Sequence, residues 1–169
     1  PIVFAPIVAS GDVVAGGTWK PAGTEPAGLE VEIAFRIGSD IPSLATTDQV
    51  LACVKSAHVV FELCQSRLND PGDQPRHIGI ADCVSNTGIV VGDEIKDWRS
   101  KNLKDVAGRL MVDGKVHKEG KSTDPLYILA LLPAALASRG KKLEAGQIVI
   151  TGSLVGMNWL TGKHALEIG

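Results

Sequence analysis

The chain has 169 residues, a net charge of −2 and only 4% aromatic residues. That length suits one domain, which can bury about 70% of its unfolded surface. The near-neutral charge, with no basic stripe, excludes nucleic acid and anionic membrane as electrostatic partners, and the scarcity of aromatics argues against a base-stacking surface. In chain order, two short apolar runs (IVFAPIV and DVVAGG) precede a Pro/Gly loop from Lys20 to Gly28. LEVEIAF (Leu29–Phe35) then alternates with period two, which predicts a half-buried strand. Thr46 and Gln49 fit a capping box, and a helix is expected from there to about Ala57. HVVFELCQ alternates again and predicts a second strand, and Leu68–Pro75 reads as a loop. HIGIAD and GIVVG are expected as two short strands. Gly108–His117 is expected as a hairpin turning at Asp113-Gly114. Asp124-Pro125 starts a helix that Gly140 ends, and QIVIT forms a last strand running into Gly152-Ser153. The expected fold is β-rich α+β, a curled mixed sandwich or roll with a few short helices.

Several familiar motifs fail on spacing. Gly120-Lys121-Ser122 lacks the earlier glycine of a phosphate loop, because position 115 is Lys and Gly114 is one place out. Ser153 is not in a G-x-S-x-G elbow, and the four histidines show no zinc spacing. Cys53, Cys64 and Cys83 form no C-x-x-C pair and are expected as free thiols in a reducing cytoplasm. No stretch is long and apolar enough to cross a bilayer.

The acidic face of the first strand is more informative. Glu30 and Glu32 lie on one side of LEVEIAF, roughly 6.6 Å apart along the backbone. Like charges that close repel, so either water solvates both or a cation sits between them. Most E-x-E pairs on strands are solvated faces. Glu62, however, lies opposite Val59, Phe61 and Leu63 in the second strand. If the two strands are neighbours, three carboxylates converge, and three hard oxygen donors suit Mg²⁺, Ca²⁺ or Mn²⁺.

LEVEIAFRIGSDIP, FELCQSRL, IADCVSNTGIVVG and DPLYILALLPAALASRGKKLEAGQIVITGSLVGM, in that order, resemble the 2-keto-4-pentenoate hydratase and 4-oxalocrotonate decarboxylase group of the fumarylacetoacetate hydrolase family. The resemblance implies that Glu30, Glu32 and Glu62 hold one divalent cation, Mg²⁺ or Mn²⁺. It implies a small 2-oxo or enol acid as substrate, with the cation as Lewis acid for enolate formation. The implied reaction is hydration of a 2-hydroxy-2,4-dienoate to a 4-hydroxy-2-oxo acid. The alternatives are decarboxylation of a 2-oxo acid, or a non-catalytic subunit beside a pathway decarboxylase. Ser85 and Asp82 are the implied catalytic residues, and Gly152 and Ser153 the implied binders of the substrate carboxylate. A homo-oligomer is expected. Where this group carries D-N-A-S, the chain has Asp82-Cys83-Val84-Ser85, without the Asn. The active-site lysine and aspartate of the group come from an N-terminal helical region and the loop after it, and no position here matches them. Residues 1–169 are therefore expected to be one catalytic domain lacking that region and a C-terminal strand.

Overall fold

A computed structural model describes residues 3–7, 12–22, 26–68 and 75–168. Most of the Leu68–Pro75 loop, parts of the two N-terminal runs and part of the Lys20–Gly28 loop lie outside them. Strand β1 (Ala27–Ile37) is followed by helix α1 (Thr47–Cys53), strand β2 (Val54–Cys64) and helix α2 (Arg76–Ala81). Then come strands β3 (Asn86–Glu94), β4 (Ala107–Val112) and β5 (Lys115–Lys121), and helix α3 (Pro125–Ala137). Strands β6 (Ile148–Ser153), β7 (Asn158–Leu160) and β8 (Leu166–Ile168) close the chain.

The larger sheet has the order β3-β2-β1-β6, with β7 pairing the first residues of β1 beside β6. The smaller sheet has the order β5-β4-β8. Paired strands run antiparallel throughout, and Val13 adds a parallel bridge to Val90. Leu29, Val31, Ile33, Phe35 and Ile37 project from one face of β1 and are all 1% exposed or less. They join Leu63 of β2, Leu110 of β4 and Leu129 of α3 in the core, and Phe35 meets Trp98 edge-on at 5.9 Å between ring centres.

Three sequence expectations change. β1 is buried on both faces rather than one: Glu32 is 2% and Ala34 1% exposed. Alternation reports side-chain polarity, and something can still pack over the polar side. The first helix ends at Cys53, not near Ala57, because Val54 already enters β2. Its capping box forms as read, with Thr46 N–H donating to Gln49 Oε1 at 2.8 Å and Gln49 N–H to Thr46 Oγ1 at 3.3 Å. HIGIAD is not a strand but the body of α2. Four residues of alternation cannot separate a strand from one helical turn, and Pro75 (φ −55°) presets the first turn.

The Asp113-Gly114 hairpin is present, with both residues left-handed (φ 51° and 74°) as a type I′ turn requires. Gly120 is not part of a phosphate loop. It lies in β5, where any Cβ would sit 1.9 Å from the Leu154 carbonyl oxygen. This close approach ties the small sheet to the chain just beyond β6. Phe61 is 8% exposed within the core, so Phe61→Ala should destabilise the fold by about 3–5 kcal/mol. Urea melts check this, and a loss under about 1 kcal/mol would contradict the packing of β2.

Candidate metal centre

β1 and β2 pair in a register that places Glu30 directly opposite Glu62 and Glu32 opposite Val60. Since side chains alternate along strands, Glu30, Glu32 and Glu62 share one face, as the sequence phase requires. Cys64 lies opposite Gly28 on the same face. One ligand atom each from Glu30, Glu62 and Cys64 lie within 4.8 Å of one another.

Crowding shows in the ionisation. Burial first, and then the Glu62 charge, raise the Glu30 carboxyl to about 7 from its ordinary 4.5. Burial, again followed by the Glu62 charge, pushes Glu32 well above its ordinary range. Its pull is opposed by the Gly152 N–H, which donates to Glu32 Oε2 at 2.7 Å. The Cys64 thiol is raised by burial and then by the charges of Glu62, Glu30 and Glu32. Cys64 therefore stays a neutral, soft thiol, a poor ligand for a hard cation. Glu30 and Glu62 fit one, since two oxygens bound to the same ion at about 2.1–2.5 Å lie at most about 5 Å apart; Glu32 adjoins Glu62 but is not part of that 4.8 Å group.

The end of β6 is built around these carboxylates. Glu32 pairs with Ser153 and Ala34 with Ile150, so β6 carries one extra residue in that interval. Gly152, at φ +97°, lies inside this bulge, and its N–H points at Glu32 instead of entering the ladder. Thr151 anchors the bulge by donating its hydroxyl to the Ile33 carbonyl at 2.8 Å. The Ser153 hydroxyl favours the charged form of Glu30, though it makes no well-aligned hydrogen bond among the described residues. Gly152 and Ser153 are thus at the site, with the Gly152 amide engaged by a carboxylate of the chain itself.

Asp82 and Ser85 stand one step away. Asp82 accepts from Arg67 Nε at 2.7 Å, and the same guanidinium donates to the Asp82 and Asn86 carbonyls. Between them Cys83, Val84 and Ser85 all have positive φ (53°, 54° and 65°). Three consecutive left-handed residues, one of them β-branched, form a strained turn. The turn delivers Asn86 to the carboxylate face, opposite Cys64. Asn86 is 4% exposed and donates its Nδ2 to Glu62 Oε1 at 2.7 Å, while its Oδ1 has no hydrogen-bond partner among the described residues. That orphaned acceptor suits a donor brought in from outside the chain, such as a cation-bound water or a ligand hydroxyl. Arg67 closes the E-L-x-x-S-R segment and Asn86 lies within IADCVSNTGIVVG, both part of the family resemblance, but strand phase and spacing assign neither a role. A bulge between Leu63 and Cys64 moves Asn86 out of simple strand phase, and no local pattern links Arg67 to Asp82.

Known proteins share this architecture of two antiparallel sheets with few helices. The match to the family described as fumarylacetoacetate (FAA) hydrolase C-terminal covers residues 7–169. This chain belongs to the fumarylacetoacetate hydrolase family. Among curated relatives, it is 29% identical over 140 residues to a 2-hydroxyhexa-2,4-dienoate hydratase of Comamonas testosteroni, covering 80% of this chain and 53% of that protein. It is 30% identical over 132 residues to a 4-oxalocrotonate decarboxylase of a Pseudomonas species, covering 74% of this chain and 49% of that one. The chain spans about half the length of these curated relatives. Among solved structures it resembles 4-oxalocrotonate decarboxylase from Pseudomonas putida G7, complexed with magnesium and adipate (TM-score 0.75, 19% identity, 85% of this chain and 56% of that one). It also resembles fumarylpyruvate hydrolase from Pseudomonas aeruginosa in complex with Mn²⁺ and pyruvate (TM-score 0.66, 20% identity, 94% and 68%). Those two likenesses concern the fold.

Proposed function

We propose that this chain carries the cation-binding core of a lyase that adds water to a 2-hydroxy-2,4-dienoate, giving a 4-hydroxy-2-oxo acid in the breakdown of aromatic compounds. The observation that carries the reading is the convergence of Glu30, Glu32 and Glu62 on one sheet face, where Glu30 and Glu32 are held well above their ordinary pKa. Such an arrangement is costly unless a cation relieves it. The relative named as a dienoate hydratase supports the reaction class.

In this reading the three glutamates hold one divalent cation, Mg²⁺ or Mn²⁺. When bound, it supplies Lewis-acid polarisation of the substrate's carboxylate and 2-oxygen. Asn86 fixes the Glu62 carboxylate through Nδ2 and offers Oδ1 to a hydroxyl or water, and the Gly152 N–H fixes Glu32. Ser153 stands beside Glu30 on the side assigned to the substrate carboxylate. Ser85 is assigned a hydrogen bond to the substrate or the attacking water. Asp82 acts through Arg67, holding the strained turn that carries Ser85 and Asn86. The dienol loses its hydroxyl proton and gains one at C5, giving the 2-oxo-3-enoate. Water then adds across C3 and C4, its oxygen to C4 and a proton to C3.

A second reading is a 2-oxo acid decarboxylase, favoured by the 30% identical relative of that name. It would use the same carboxylates without a water nucleophile. No helix among the described residues is long and apolar enough to cross a membrane, and all three cysteines are free. We assign the protein to the cytoplasm, as a homo-oligomer that can associate with a pathway decarboxylase. With Mg²⁺, the protein should consume 2-hydroxypenta-2,4-dienoate, seen as loss of its absorbance, and release no CO₂ from a 2-oxo-3-enedioate. CO₂ from the second with the first untouched would replace the hydratase reading by the decarboxylase.

A further inference from the structure

The carboxylate face continues beyond Glu30 and Glu62. One row along, it carries Cys64 of β2, Gly28 of β1 and Trp159 of β7 as cross-strand neighbours. A Cβ on Gly28 would come within 2.8 Å of Met157 Sδ, 2.8 Å of Trp159 Cζ3 and 2.9 Å of Cys64 Cβ. These three side chains therefore meet over the bare Gly28 backbone. The Cys64 sulfur also lies within 4.8 Å of carboxylate oxygens of Glu30 and Glu62. Apolar side chains thus run from the carboxylates, by way of buried Cys64, out to Met157 and Trp159. The run is open at its far end, with Trp159 48% and Met157 36% exposed. Scattered exposed apolar residues are ordinary, but these two close over Gly28, one row from Glu30 and Glu62.

We infer that Met157 and Trp159 form the wall that receives the apolar tail of the acid substrate, and that Trp159 sets the preference for tail length. The inference rests on the proposed function, in which the carboxylate and 2-oxygen of the substrate are held at Glu30, Glu32 and Glu62. A tail leaving that head beyond the row of Gly28 lies against the exposed thioether of Met157 and indole of Trp159, with Cys64 buried beneath them. These are polarisable surfaces that suit flat, conjugated carbon chains. The wall is set by the segment that follows the Gly152 bulge. Residues Leu154 to Met157 join β6 to β7, so head and tail contacts come from one connection.

Two unreactive saturated acids test this: pyruvate, which has no tail to speak of, and 2-oxohexanoate. Each is titrated calorimetrically into the Mg²⁺-loaded full chain, as wild type, Trp159→Ala and Trp159→Phe. The wild type should bind 2-oxohexanoate about tenfold more tightly than pyruvate. Trp159→Ala should bind pyruvate within about twofold of wild type and lose most of that advantage, and Trp159→Phe should keep it. An undiminished advantage in Trp159→Ala, or equal weakening of both acids, overturns the wall while pyruvate binding leaves the head site standing. Failure of both acids to bind the wild type overturns the head site and the wall together.

Discussion

Glu32→Gln should lower turnover at least about 100-fold and weaken Mg²⁺ binding, while leaving the metal-free fold as stable as before or slightly more so. Loss of an outer-shell partner of a metal ligand typically costs about 10–100-fold in affinity or activity, and loss of a ligand oxygen should cost no less. The neutral stability follows from the site. Glu32 is 2% exposed and is pushed toward its neutral form by burial and by Glu62. A glutamine imitates that neutral form. It can still accept the Gly152 N–H, and it offers an amide donor toward the remaining carboxylates. A Glu32 that was merely part of a stable polar cluster would behave differently: its loss would lower the melting temperature and leave Mg²⁺ affinity and turnover unchanged. Parallel melts and rate measurements on metal-free and Mg²⁺-loaded protein separate the two.

The metal-free protein should lose stability as the pH rises from about 5 to 7. Glu30 has a folded-state value of about 7 against 4.5 in the unfolded chain. Within that window the folded state holds more protons, so raising the pH favours unfolding. The contribution is complete below 4.5 and is gone once the pH passes about 7. Because Glu30 is only partly buried, solvent screening reduces the effect to about 1–2 kcal/mol, or a few degrees in melting temperature. Glu32 is shifted in the same direction and extends the decline to higher pH. Excess Mg²⁺ should reverse the trend, since it binds the ionised form and stabilises the fold by mass action. Melting curves at stepped pH, with chelator and with Mg²⁺, give the result. A metal-free melting temperature that rises between pH 5 and 7 would contradict the crowded-carboxylate description.

Much of the site was legible in the sequence because it depends on strand phase. The alternation in LEVEIAF and HVVFELC puts Glu30, Glu32 and Glu62 on one side whatever packs above them, and the ladder opposes Glu30 to Glu62 as that phase demands. Local chemistry was legible as well: the Thr46 capping box, the Asp113-Gly114 turn and the Asp124 cap at the start of α3 all form. What escaped depends on irregularity or on distance along the chain. A bulge hides Asn86 from period-two reading, and a second bulge turns the Gly152 amide toward Glu32. Arg67 reaches Asp82 across fifteen residues with no motif between them. HIGIAD has the alternation of a strand but is too short for alternation to decide its conformation.

The central claim is that three glutamates on one sheet face hold one divalent cation. It is tested most directly by calorimetric Mg²⁺ titration of the wild type near pH 6, in two buffers of different ionisation enthalpy. A single site is expected, and its occupation should release protons, because the cation displaces protons held on Glu30 and Glu32. Binding should be tighter at pH 8 than at pH 6, with a clear loss of affinity in Glu32→Gln. No binding by the wild type, or equal binding by both proteins with no proton release, would contradict it.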